Sequence, residues 1–178
     1  LKLTQIHYRP APPQPDEIAA GFVRRSDFEF LELTNLSNRF LHLDGCYFET
    51  GIRFRFSNPI PPLAPLGSLI VAANPSAFSH RFGGDQKVLG PFQFRSKLDN
   101  SGEGISLSNP EGRQLLSVRF DDNAPWPKAA DGQGASLVLK DPRGRVDPDQ
   151  PEAWRAPPID PPPHPATPGG NPVNSWLV

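Results

Sequence analysis

Short stretches of alternating apolar and polar residues, punctuated by proline and glycine, run along most of the chain. LKLTQIHY (1–8) reads as a first strand. Its alternation puts Leu1, Leu3, Gln5 and His7 on one face and Lys2, Thr4, Ile6 and Tyr8 on the other. RPAPPQPDE (9–17) is predicted as a loop, because it opens with four prolines in seven residues and proline has no N–H to give a ladder. FEFLELTNLS (28–37) is the clearest strand, with Leu31 and Leu33 pointing one way and Phe28 and Phe30 the other. Two covered faces suit a central strand. FLHLDG (40–45) repeats the alternation, Phe40 and His42 against Leu41 and Leu43, and closes on the turn dipeptide Asp44-Gly45. CYFET (46–50) and IRFRF (52–56) follow. The second predicts Ile52, Phe54 and Phe56 inside and Arg53 and Arg55 outside.

NPIPPLAPLG (58–67) is a second proline loop, and SLIVAAN (68–74) is a continuous apolar strand. PSAFSHRFG (75–83) is the one predicted helix. Asn74 serves as N-cap, Pro75 takes the first helical position, Phe78 and Phe82 stand four apart, and Gly83 closes the end. GPFQFRSKLDNSGEG (90–104) shows no period and is expected to be mostly irregular. ISLSNPEGRQLLSVRFDD (105–122) reads as a hairpin turning on NPEG. SLVLKDPRGR (136–145) supplies a last core strand and a turn, and EAWR (152–155) places Trp154 at an edge. The sum is an all-β sandwich. Residues 1–155 form the expected domain. Residues 156–178, rich in proline and nearly free of apolar pattern until VNSWLV, are expected to be a tail or linker.

Composition sharpens this reading. The 178 residues suit one domain and can bury a real core. The 24 prolines and 15 glycines make up about a fifth of the chain, and with 12 Phe they point to strands joined by rigid turns. A net charge of -1 gives no chain-level attraction to nucleic acid or an acidic membrane. No run of 18 apolar residues exists, so no membrane insertion is expected. The single Cys46 allows no intramolecular disulfide and reads as a small buried apolar residue. The chain starts at Leu1 and contains no Met, so it is expected to be a piece of a longer precursor with neighbouring domains.

Catalytic templates fail on residue type or spacing. His7, His42, His80 and His164 form no H-E-x-x-H, and there is no G-x-S-x-G and no phosphate-cradling glycine loop followed by Lys. His42 and Cys46 are separated by a DG turn, which argues against a nucleophile–base dyad. Glu29 and Glu32, three apart, cannot share a strand face. His80 is expected to be exposed or capping, and His42 half-buried. The one stretch with ligand character is DDNAPWPKAADGQG (121–134). Asp121, Asp122 and Asp131 could offer oxygens to Ca²⁺, and Trp126 could offer a stacking platform. The spacing departs from an EF-hand. Pro125 and Pro127 around the indole favour a stiff corner, with Asp side chains bonding backbone N–H groups. No cofactor is expected.

Taken in order, LTQIHYRPAPP, FEFLELTNLSNRFLHLDGCYF, IPPLAPLGSLIVAANPSAFSHRFG, LDNSGEGISLSNPEGRQLLSVRFDD, APWPKAADGQGASLVLKD and EAWR resemble the lamin tail domain in its bacterial form. The resemblance spans roughly residues 1–172. It implies an immunoglobulin-like β-sandwich with one short helix and long proline-rich loops. It implies no catalytic residues. In nuclear lamins this domain looks like an interaction platform, and the bacterial forms are similar to modules of large secreted proteins. Where family members often place a Trp after the LDG turn, this chain has Cys46, so Tyr47, Phe48 or another neighbour is expected to fill that volume. The function so implied is a non-catalytic interaction or scaffolding module of a larger extracellular or envelope-associated bacterial protein. Its partner would be a protein or a cell-surface polymer and not nucleic acid. The alternative is an accessory carbohydrate- or calcium-binding module using the 121–134 loop.

Overall fold

The computed structural model describes residues 1–57, 59–83 and 86–157. Its strands fall into two sheets. The larger contains β1 (Lys2–His7), β2 (Phe30–Thr34), β5 (Ser68–Ala72), β6 (Val88–Leu89), β9 (Leu137–Leu139) and β10 (Trp154–Arg155), in the order β10-β9-β1-β2-β5-β6. The smaller contains β3 (Tyr47–Thr50), β4 (Phe54–Arg55), β7 (Gly102–Ser108) and β8 (Gln114–Asp121), in the order β4-β3-β7-β8. All pairs are antiparallel except β5 with β6. One apolar cluster joins the sheets: Leu3, Ile6, Leu31, Leu33, Leu69 and Val71 of the larger meet Phe48, Phe54, Ile105, Leu107, Val118 and Phe120 of the smaller.

The facing of β1 departs from simple alternation. Leu3 pairs with Leu33 and Gln5 with Glu32, so Thr4 is an extra residue in the ladder, a β-bulge. The bulge brings Leu3 and Ile6 onto one face, beside Leu33 and Leu31. Gln5 and His7 turn to the other face, beside Glu32 and Phe30. The expected grouping of Leu3 with Gln5 and His7 is therefore corrected. In β2, Leu31 and Leu33 enter the main core as expected. Phe30 joins Ile70, Ala72 and Phe78 in a second cluster under α2 (Pro75–Phe82). Phe28 is buried but lies in a 3-10 turn (Arg25–Phe28) ahead of the strand.

The helix α2 forms as its sequence predicts. Asn74 Oδ1 accepts the Ser76 and Ala77 N–H groups, and Gly83 ends the helix with positive φ. A second helix, α1 (Pro15–Ala19), corrects the loop expected across 9–17. Pro15 starts it without losing a needed N–H, and Glu17 Oε2 reaches back to the Gln14 N–H at 2.6 Å. The strand expected over 40–45 is also corrected, since Leu41 makes only an isolated bridge to Leu63. Pro61, Pro62 and Pro65 flank Leu63 and cannot extend a ladder. The buried Asn35 side chain further occupies the Leu63 and Ala64 carbonyls.

IRFRF keeps its predicted facing, with Ile52, Phe54 and Phe56 buried and Arg53 and Arg55 exposed. Cys46 is buried, and Phe48 is the neighbour that enters the core. Tyr47 lies under the Arg55 guanidinium, 4.4 Å from its ring centroid. The hairpin of β7 and β8 turns at 109–112 as expected but starts earlier, at Gly102. Gly102 has φ 91°, and a Cβ there would stand 2.5 Å from the Phe120 carbonyl oxygen, so only glycine fits. Trp154 is buried and donates its indole N–H to the Pro148 carbonyl at 2.7 Å. The tail expected over 156–178 lies, from residue 158, outside the described residues.

Candidate functional site

The 121–134 stretch begins where β8 ends. Asp121 Oδ1 accepts both the backbone N–H and the side-chain amide of Asn123, each at 2.8 Å. Those bonds hold its carboxyl below the usual carboxylate range. Asp122 Oδ1 accepts from the same amide at 3.1 Å. The Trp126 N–H closes a turn onto the Asn123 carbonyl, and the half-buried indole packs against the main core. Asp131 is ion-paired with Arg9. Gly132 beside it has φ 78°, and a Cβ there would stand 2.9 Å from Arg25 Nη1. The three carboxylates share one effect. Burial, then Asp131 and Asp122, with a smaller part from Asp121, push the Tyr8 hydroxyl well above its ordinary pKa. They therefore stand around Tyr8. Asp121 and Asp122 share Asn123 as their partner, and Asp131 has Arg9. Among the described residues, no three His, Cys, Asp or Glu side chains converge as a metal site requires.

The other residues singled out above lie apart. His42 is exposed, 3.8 Å from Asp44, and Cys46 is buried, with burial raising its thiol pKa. Glu29 is buried and accepts the Leu98 N–H at 2.7 Å, while Glu32 accepts from Thr4 Oγ1 at 2.9 Å on β1. His80 lies 3.2 Å from Asp16, with its ring edge-on to Phe22.

An ionic clamp that no local pattern announced ties α1 to α2. Arg81 Nε and Nη2 donate to Glu17 Oε1 and Oε2, both at 2.6 Å. The guanidinium lies over the Phe28 ring at 3.3 Å and also donates to the Ala11 carbonyl. Burial alone pushes the Glu17 carboxyl up, but Arg81 and the Gln14 N–H outweigh it, and the net shift is downward. Beside the clamp runs a shallow groove of about 590 Å³, lined by Ala20, Phe22, Pro75, Ser76, Ser79 and His80. Its one titratable side chain, His80, is held by Asp16.

Among the described residues, the most exposed large apolar side chain is elsewhere. Phe94, in the 3-10 turn Gln93–Arg95, is 91% exposed. Phe94 and Arg95 have φ of 55° and 53°, a left-handed conformation that costs a non-glycine residue about 1–2 kcal/mol. Backbone anchors hold the turn there. The Gln93 N–H donates to the Arg53 carbonyl at 2.6 Å, and the Arg53 N–H donates to Ser96 Oγ at 2.8 Å. These two bonds also cap the outer edge of the small sheet beside β4. Sequence reasoning passed over Phe94 because its segment has no period. Phe92 two before it and Leu98 four after it are both buried, so spacing alone gives no sign that Phe94 is exposed.

No protein-family model matches the chain, and no curated protein matches it.

Proposed function

We propose that this chain is a non-catalytic interaction or scaffolding module, an immunoglobulin-like β-sandwich of the lamin-tail kind. It would serve in a larger extracellular or envelope-associated bacterial protein. Phe94 carries the reading. A fold that strains two backbone positions to hold an aromatic ring in water gains nothing in stability from that ring. Its use lies with a partner outside the chain. The polar groups of the 121–134 corner and of the α1–α2 clamp are meanwhile engaged with one another and with backbone.

Two measurements test this. The 178-residue chain is assayed against ester, phosphoester, glycoside and peptide substrates from pH 5 to 9. Turnover that a single substitution abolishes overturns the reading. Phe94→Gly should leave the melting temperature unchanged or raise it by a few degrees, since it relieves left-handed strain and removes a side chain that packs on nothing. A fall of several degrees would make Phe94 structural and remove the supporting observation.

A second reading, an accessory calcium- or carbohydrate-binding module, draws on the three aspartates around Tyr8 and on the half-buried Trp126. Thermal unfolding with Ca²⁺, with EDTA and with soluble polysaccharides separates the two readings. A ligand at about a hundred times its Kd adds about 2.7 kcal/mol, a rise of about 5–10 °C for a domain this size.

A further inference from the structure

We infer that the Phe94 turn and the basic edge beside it form a docking surface for an anionic phospholipid bilayer. This rests on reading the domain as an interaction module and names the partner. Four cations gather at this edge. Arg95 and Lys97 flank the exposed ring in sequence, and both are exposed. Arg53 is laced to the turn through its own backbone N–H and carbonyl, and Arg55 lies two residues further along the same outward face. None of the four makes a salt bridge among the described residues. The salt bridges there involve Arg9, His42, His80 and Arg81. The acids near this edge are each engaged within the chain: Asp99 accepts the Ser101 N–H, Glu103 accepts the Asp99 N–H, and Glu49 on the neighbouring β3 accepts the Ser108 hydroxyl. The chain's net charge of -1 averages over this patch and hides it.

The form of the surface selects the partner. Phe94 protrudes, and a protruding ring needs a partner that opens to admit it. A bilayer interface admits an aromatic ring at headgroup depth without a preformed pocket. Arg55 lies over Tyr47 and donates to the Gly45 carbonyl, contacts that leave its charge unneutralised. An anionic headgroup layer supplies the charge that the four cations match, and the attraction falls off within a Debye length. Contact of this kind is peripheral, since no helix among the described residues is long and apolar enough to cross a membrane. The left-handed turn matters as well. It fixes the ring outward before contact, so little ordering is left to do on binding.

The test is co-sedimentation of the 178-residue chain with vesicles of phosphatidylcholine, or of phosphatidylcholine with 30% phosphatidylglycerol. The chain should bind the anionic vesicles at least tenfold more tightly and lose most of that preference in 0.5 M NaCl. Phe94→Gly and the double variant Arg53→Glu/Arg95→Glu should each weaken binding about tenfold or more. Arg143→Glu, at an exposed site outside this edge, should leave it unchanged. Unchanged melting temperatures show that the variants are folded, and Phe94→Gly stands alone if the double variant is not. Equal binding to both vesicle types, no binding to either, or full binding by Phe94→Gly overturns the proposal. Poly-L-glutamate and dextran sulfate are run alongside. If they bind as tightly as the anionic vesicles and independently of Phe94, the surface is a polyanion site, and the lipid assignment falls while the interaction reading stands. Enzymatic turnover would instead sink the interaction reading itself.

Discussion

Glu29 should set the alkaline limit of this fold. It immediately precedes β2 and is only 3% exposed. Burial pushes its pKa up to about 8, and the Leu98 N–H and Lys97 pull only part of the way back. In the unfolded chain the same carboxyl titrates near 4.5. Between these values the folded protein holds a proton that the unfolded chain has released. Stability therefore falls as pH rises through the window and levels off above about 8. At about 1.4 kcal/mol per pH unit, the interval is worth at most about 5 kcal/mol. The half-buried Glu103, also raised by burial, adds to the same fall.

His7 has the opposite sign. It is buried between Phe30 and Phe82, and burial, then Arg81, lowers its pKa from 6.5 to about 3. The folded state keeps it neutral while the unfolded chain takes up a proton, so its contribution is lost as pH falls from 6.5 towards 3. Between about pH 4.5 and 6.5 the two slopes cancel. The pair predicts a plateau there, with a fall on either side. Glu29→Gln keeps an acceptor for the Leu98 N–H and removes the titration. Urea unfolding at pH 5, 6.5 and 8 should show the variant more stable than the parent by about 2–4 kcal/mol at pH 8 and within about 1 kcal/mol at pH 5. A parent stability that holds flat or rises from pH 6.5 to 8, or a variant difference independent of pH, refutes the reasoning.

Arg81→Ala leaves Glu17 charged and buried without its partner, so it should cost about 3–5 kcal/mol in urea unfolding at pH 7. Trp154→Phe keeps most of the ring volume but leaves the Pro148 carbonyl without its donor, an expected loss of about 1–3 kcal/mol by the same assay. The Cys46 thiol is buried with a raised pKa, so an aromatic disulfide reagent should label it only after denaturant is added. Prompt labelling of the native chain at pH 8 would contradict that placement.

Local chemistry made much of the frame legible. Alternation in IRFRF predicts which side chains the small sheet buries, and Asn74, Pro75 and Gly83 mark both ends of α2. Failures came where a distant partner decides. Thr4 becomes a bulge only because β2 offers Leu33 and Leu31 on one face, two hydrophobic partners that simple alternation in β1 cannot match. FLHLDG has a strand's pattern, yet its neighbour in space is a proline segment that pairs with it only through Leu63. The signal for α1 was present in Gln14, Pro15 and Glu17, but the prolines before them outweighed it.

The candidate surfaces were hidden for related reasons. The clamp joins Glu17 to Arg81 across 64 positions, and nothing local to either residue points at the other. Phe94 is hidden more deeply, because Phe92 and Leu98 around it are buried and nothing in their spacing says that the ring between them faces water. Interior residues are constrained by the chain itself, so their pattern repeats and can be read. A residue shaped for contact with something outside answers to a pattern the chain does not contain. Within one sequence it appears only as an exception, and the backbone strain at 94 and 95 is what separates such an exception from an ordinary loop residue.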